Sequence, residues 1–569
     1  MNLQKKKVLS HTSRNTPSQI DIDLKSFFGK SPICLDKARR IILNAKNPEE
    51  VVKSIYSFCT KNDINPSNIP ESFLPLIIKL ISVVSYSLDT LIPDSRIPEK
   101  MKPYLSNGNI VSFLSIVFKK TSTEPFNNGR VLLSRYNKLV EEIQDCLIKK
   151  QDYKALEFKP RKEFLFDWCR VLIELTSHPL LLDKLQDQDY RVENKKKLDQ
   201  LFATLSKFVL FIVIVDDVAD IMQDRKLLSF FTSVPNLTKE ALLKEVSRME
   251  SEGYSHFVEF FKFCHEVWLE TIKEVNTFID EEIFGSSLEQ EIKQSIQKVM
   301  KSMLLSVAIN DTSGLYEGSY ESVEKTLAVN MLMTFFKVIE SAFLKEQGEI
   351  FSAKLKEILQ KIFSTGEIIG HSGNNVATFM REIRNGDISN TLILIIDAKL
   401  KVELDLRGIN FNQYIASVLD KEKISIPEAT DFLGFTTECS KSNQKIFKLA
   451  TELCKKFQLD FNTFIREVSE IDDLQSIDRL VSERMDLSSA NEFTMLVSDL
   501  KMKASILKIV KLILEDPKLN ALGSYYERIN GDFNKIKTLS DEAGVKGLNL
   551  YIDGVYNLFV MYLLFKSDM

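Results

Sequence analysis

Phe208-Val209-Leu210-Phe211-Ile212-Val213-Ile214-Val215-Asp216-Asp217-Val218-Ala219-Asp220 is the stretch that decides the reading of this chain. Eight apolar residues in a row end in three carboxylates within five positions. On a helix Asp216 and Asp220 fall one turn apart on the same face, where like charges repel. The apolar run precedes them, so they sit near the helix C-terminus, where the macrodipole is already negative. Such a pair is relieved by cations, and hard oxygen donors on one helical face suit Mg²⁺, which keeps waters and binds phosphates beside one or two carboxylates. The competing reading is a solvated helix end with clustered acids.

Some 150 residues on, Asn374-Asn375-Val376-Ala377-Thr378-Phe379-Met380-Arg381-Glu382 spaces an amide, a hydroxyl and a carboxylate at i, i+4 and i+8. On a helix these three form one row, drifting about 40° per step, and could serve a hard cation. The alternative is a polar stripe on a solvated helix. Asn375 is expected to point about 100° away from that row. Gly386, just past Glu382, is expected to cap the helix, so both motifs would lie in the last turns of their helices.

The two motifs together, in this order, resemble those of class I terpene synthases: an aspartate-rich motif followed by an Asn/Asp-x-x-x-Ser/Thr-x-x-x-Glu triad. The ending Arg381-Glu382 and the tail Asn385-Gly386-Asp387-Ile388-Ser389-Asn390 resemble the microbial form. The resemblance implies an all-α class I bundle with additional helical segments at both ends. It also implies a lyase of isoprenoid biosynthesis that ionises a linear C15 or C20 prenyl diphosphate (farnesyl or geranylgeranyl diphosphate), cyclises it and releases diphosphate. Three Mg²⁺ per site would stabilise the departing group as Lewis acids. Asp216 and Asp220, with Asp217 as a further candidate, and Asn374, Thr378 and Glu382 would be metal ligands. Arg381 would donate to the diphosphate. Lys325 is the only basic residue near the position of the family's diphosphate-sensing arginine, and it lacks the guanidinium fork. In place of a C-terminal Arg-Tyr pair the chain offers Tyr525-Tyr526-Glu527-Arg528. Neither Asp-x-Asp-Asp nor a second complete aspartate-rich motif occurs, since Asp472-Asp473-Leu474-Gln475-Ser476 lacks the closing aspartate. By the same resemblance, these are the motifs expected of protonation-initiated cyclases and of chain-elongating prenyltransferases. The alternative class is a non-catalytic helical scaffold or a decayed relative.

If both motifs end their helices, the hydrocarbon tail lies toward their N-terminal sides. Phe208 and Ile212 would form one wall, with Phe208 facing the carbocation at about 0.5–2 kcal/mol. Gly366 and Gly370 would leave room on the other, or else serve close helix packing.

The rest of the chain fits this picture. In 569 residues, 44% are apolar and 27% charged, with 19 glycines and 15 prolines. This is an ordinary soluble composition favouring helices. A net charge of −4 gives no electrostatic case for nucleic acid. Seven scattered cysteines suit a reducing compartment rather than disulfides or zinc, so a cytoplasmic location is expected. Residues 1–22 read as a disordered basic tail without an apolar signal segment. Residues 23–105 read as an N-terminal helical segment, closed by Pro93, Pro98 and Pro103. The α-domain is expected over 130–465 and a helical extension over 466–569. Helical patterns cover Leu139–Lys150, Phe164–Thr176, Lys197–Val215, Glu240–Glu250, Phe257–Phe278, Leu288–Ile309, Glu321–Phe343, Phe351–Ile369, Thr391–Val402, Asn410–Leu419 and Glu428–Phe457. Glu124–Gly129 reads as a loop. The apolar stretch Gly547–Phe565 is interrupted by Asp553, Gly554 and Asn557, so a buried helix is expected rather than a membrane span. A homodimer is compatible with the resemblance.

Overall fold

The structure, a computed structural model, describes residues 127–158, 177–278, 281–311, 353–418, 428–484 and 490–555, apart from isolated positions within them. The expected tail, the N-terminal segment, the helices Phe164–Thr176 and Glu321–Phe343, and Lys325 lie outside the described residues. Within them the chain is almost entirely helical, with no strand.

The first group of elements is α1 (Asn127–Lys149), a 3₁₀ turn (Tyr153–Leu156), α2 (Pro179–Lys184), α3 (Gln188–Glu193), α4 (Lys195–Asp217), a π turn (Val218–Met222), α5 (Arg225–Ser233), α6 (Lys239–Ser251), α7 (Val258–Phe278) and α8 (Glu281–Asp311). The second is α9 (Ala353–Asn385), α10 (Thr391–Arg407), α11 (Phe411–Val418), α12 (Phe432–Phe457), α13 (Leu474–Arg484), α14 (Ala490–Glu515) and α15 (Ala521–Ala543). The structure starts α1 at Asn127, so Asn127-Asn128-Gly129 is helical rather than the expected loop.

The apolar run of α4 is buried almost all round, because α4 packs along α7, with α1 and α5 also against it. Phenylalanines carry this packing. Phe208 stacks on Phe211, which meets Trp268 at 5.1 Å, and Phe230, Phe231, Phe260 and Phe261 form a second set. Each fully buried ring contributes about 1.5–3 kcal/mol. A buried cation enters this layer: Lys207, 4% exposed, is paired with Glu274 and with Glu270.

In the second group α9 is central, packed against α15, α12 and α10. A single apolar core runs from Leu132 to Val555 and includes Leu522, Tyr525 and Ile529 of α15. The described residues after 466 thus join the same core as the motif helix. Leu548, Tyr551 and Val555, from the start of the apolar C-terminal stretch, are buried there too. Among the described residues no helix is long and apolar enough to cross a membrane.

Candidate functional site

The two motif helices end for legible reasons. α4 carries Asp216 and Asp217 in its last turn, with no basic residue to offset the dipole. Its α-helical hydrogen bonding gives way to the π turn, which contains Asp220 and closes at Gln223 in the left-handed region (φ 50°). Asp224 then starts α5, accepting from the N–H groups of Lys226 and Leu227 at 2.9 and 3.0 Å. α9 ends in a Schellman motif: Gly386 (φ 72°) donates to the Ile383 carbonyl at 3.3 Å and Asp387 to that of Glu382 at 2.9 Å. Gly386 is the expected cap, and Asn374, Thr378 and Glu382 do lie in the final turns of α9.

The ends meet. Arg381 Nη2 lies 3.6 Å from Asp220 Oδ2 and 3.5 Å from Glu382 Oε1. The Asp220 carboxyl is raised well above the usual range, first by desolvation and then by Asp216, with Asp387 and Glu382 adding to the effect and Arg381 opposing it. Glu382 is also raised, by burial and then by Asp387, against Arg381, Thr378 and Asn390. Arg381 stays firmly charged: burial works against its cation, but Glu382, Asp220, Glu157 and Asp216 outweigh it. Asp216, Glu382 and Asp387 therefore all act on Asp220 across the seam, with Arg381 among them.

The motif residues divide by orientation. Asp216 is exposed and Asp220 keeps 38% of its side chain open. Asp217 is 4% exposed and accepts a hydrogen bond from the Tyr136 hydroxyl of α1, so it faces the core, away from Arg381. Asn374 is half-buried, and its backbone carbonyl takes the Thr378 hydroxyl at 2.8 Å. Glu382 is 7% exposed, with Oε2 accepting from the Asn390 amide. Asn375 points elsewhere, as expected: its amide donates to the Thr391 hydroxyl and, at 3.2 Å, to Tyr525. α15 also brings Arg528 within 3.4 Å of the Ser372 hydroxyl, its guanidinium over the Tyr525 ring at 4.6 Å.

The expected cavity walls differ. Phe208 is 0% exposed and sits in the aromatic core of α4, so it lines no open chamber. Gly366 serves close packing: a Cβ there would lie 2.6 Å from the Tyr551 hydroxyl. At Gly366 this is the close-packing alternative, and the face is filled by Tyr551, a partner distant in sequence that helical periodicity alone does not reveal.

Local reasoning also missed residues that shape the site. Asn390 caps α10 through the Leu392 N–H (2.8 Å) and donates to the Asn375 carbonyl (2.8 Å) as well as to Glu382. Asp387 is 5% exposed and turns back on Ser389, accepting from its N–H and hydroxyl at 2.9 and 2.7 Å. Ser306 and Asn310 of α8 bond to Ser389 and Ile388, fixing this loop from the first group of helices. Their signal was present in part: Asn before an apolar helix is a cap pattern, and Asp-x-Ser forms local turns.

Among the described residues no three His, Cys, Asp or Glu side chains gather into a ready metal-binding group. The donor chemistry nonetheless fits a hard cation held loosely: carboxylates whose protonation is favoured by their neighbours gain from added positive charge, and Mg²⁺ needs only one or two of them beside water and phosphate. Asp216, Asp220 and Glu382 are the residues that would hold it.

The chain matches no family model, no curated protein and no solved structure.

Proposed function

We propose that the protein is a class I terpene synthase, ionising a C15 or C20 prenyl diphosphate and releasing diphosphate. The observation that carries the reading is the meeting of the two motifs, with Arg381 set 3.6 Å from Asp220 and 3.5 Å from Glu382. Motif residues some 150 positions apart would have no reason to converge on a shared charge cluster if each were a solvated helix face. Bound Mg²⁺ would supply Lewis-acid stabilisation of the leaving diphosphate. The chain's own residues do the rest: Asp216 and Asp220 present oxygens at the open side, and Arg381 offers charge-assisted hydrogen bonds to phosphate oxygens. Asn390 holds Glu382 in one orientation.

A second reading, a non-catalytic helical scaffold, takes its support from Glu382, whose oxygens already face Arg381 and Asn390. One experiment separates the two. The protein is incubated with C10, C15, C20 and C25 prenyl diphosphates, with Mg²⁺ or with chelator, and diphosphate and hydrocarbon products are measured. Release that requires Mg²⁺ and is lost in Asp216→Ala without loss of folding is expected. No release from any substrate by a folded protein overturns the reading.

A further inference from the structure

The 3₁₀ turn Tyr153–Leu156 belongs to neither motif, yet it touches the helix ends of both. It is held firmly. The Asp152 carboxylate accepts from the Lys154 N–H at 3.1 Å. Gln444 of α12 accepts from the Tyr153 N–H at 3.2 Å and donates to the Gln151 carbonyl at 2.8 Å. Gln144 of α1 donates to the Ala155 carbonyl at 3.0 Å.

Two consecutive side chains then diverge from this fixed base. The Tyr153 hydroxyl donates to the carbonyl of Asn385, the last residue of α9, at 3.3 Å, and also meets Ser440 at 3.2 Å. The Lys154 ammonium donates to the carbonyl of Met222, the last residue of the π turn. Terminal helix carbonyls lack partners within their own helix, and a cation there also meets the negative end of the dipole. Burial lowers the Lys154 pKa, while Asp152 and Asp224 pull it back up. Burial pushes the Tyr153 hydroxyl up to about 12, despite its bond to Ser440, so it remains a donor at neutral pH. Glu157, one step beyond the turn, is among the carboxylates acting on Arg381.

We propose that the Tyr153–Lys154 pair is a clamp that sets the separation of the two motif-bearing helix ends, with Lys154 the positioning residue for the Asp216–Asp220 end. The two grips share one turn, so a change that shifts the turn at one helix end is felt at the other. The mechanical claim stands on these contacts alone; its catalytic consequence rests on the function proposed above.

The test uses the full chain with Lys154→Met, Lys154→Arg and Tyr153→Phe. Hydrogen exchange is followed in peptides covering 216–224 and 382–390, with 490–515 as the reference. Lys154→Met is expected to speed exchange about tenfold in both motif peptides and leave the reference unchanged, and Lys154→Arg to restore both. Acceleration confined to 216–224 overturns the clamp. If Lys154→Met loosens the reference as well, Tyr153→Phe decides: faster exchange at 216–224, the end it does not touch, supports the clamp, and no change there overturns it. In the diphosphate-release assay, Lys154→Met is expected to raise the half-saturating Mg²⁺ severalfold with a smaller change in kcat, and Lys154→Arg to recover it. A fall in kcat at unchanged Mg²⁺ dependence overturns the positioning role. If wild type releases no diphosphate, the functional reading falls and the exchange data alone decide the clamp.

Discussion

Replacing Asp220 by asparagine should make the protein more stable at neutral pH. Asp220 faces Asp216, Asp387 and Glu382, and Arg381 lies 3.6 Å away. A unit charge pair at that distance is worth about 1 kcal/mol in water and about 4–5 kcal/mol at an effective dielectric of about 20. Asp220 and Arg381 keep 38% and 40% of their side chains open, so screening puts the attraction near the lower figure. Desolvation and the neighbouring carboxylates outweigh it, because the Asp220 carboxyl ends well above its ordinary value of 3.8. The net gain from Asp220→Asn at pH 7 is on the order of 0.5–1 kcal/mol after the same screening. The sign with pH follows. Between the ordinary and the raised value the native state holds a proton that the unfolded chain has released, so wild type loses stability as pH rises through that window. The variant lacks that loss, so the two should coincide near pH 4 and separate toward pH 7.5. Urea melts at pH 4.5, 6 and 7.5 measure this. An asparagine variant less stable than wild type at pH 7.5, or a difference that ignores pH, would refute the charge balance argued here. Under the proposed function, Mg²⁺ should stabilise wild type by mass action and the variant less.

Three further outcomes follow from single contacts. Asn375→Ala should cost about 1–3 kcal/mol in urea melts, since its buried amide serves Thr391 and Tyr525, while Asn374→Ala should leave the melt almost unchanged and reduce diphosphate release. Tyr136→Phe should destabilise by about 1–3 kcal/mol, because the buried Asp217 carboxylate loses a donor; a neutral result in thermal melts would mean that Asp217 does not depend on that bond. Gly366→Ala gains about 1 kcal/mol of helix propensity but loses about 1–3 kcal/mol to overpacking against Tyr551. Its melting temperature should drop, and adding Tyr551→Phe should recover most of the drop.

The parts of the fold visible in the sequence are those set by local physics. The 3.6-residue period places α4, α6 and α7 close to both of their observed ends, α10 at its start and α12 at its end. Gly386 marks the end of α9 because only a left-handed residue completes that cap. The remainder depends on contacts between distant residues. Phe351–Ile369 and the triad read as separate segments, yet α9 runs unbroken for 33 residues, with α15, α12 and α10 packed along it and Tyr551 closing on Gly366. Asp217 is indistinguishable from Asp216 in a string of letters; only Tyr136, 81 positions earlier, shows which one turns inward. The π turn is equally hidden, because the turn of helix around Asp220 widens with no proline or glycine to announce it.

That widened turn bears on how two anionic helix ends come to be held together. Like charges at the negative ends of two dipoles should drive the ends apart. The fold opposes this with bonds that do not depend on the carboxylates: Lys154 to Met222, Tyr153 to Asn385, and Asn310 to Ile388. Arg381 then offsets part of the remaining charge, and the raised Asp220 and Glu382 carboxyls carry what is left. Under the proposed function the retained charge has a use, whereas for joining the two ends alone hydrophobic residues of similar size often serve as well or better. Under the proposed function the π turn has a physical use: single π turns inside helices are frequent at functional sites. It places Asp220 beside Arg381 while Asp216 stays on the open side. Retained repulsion, held in place by contacts other than the carboxylates, is what the proposed function requires, since its neutralising charge would arrive with the ligand.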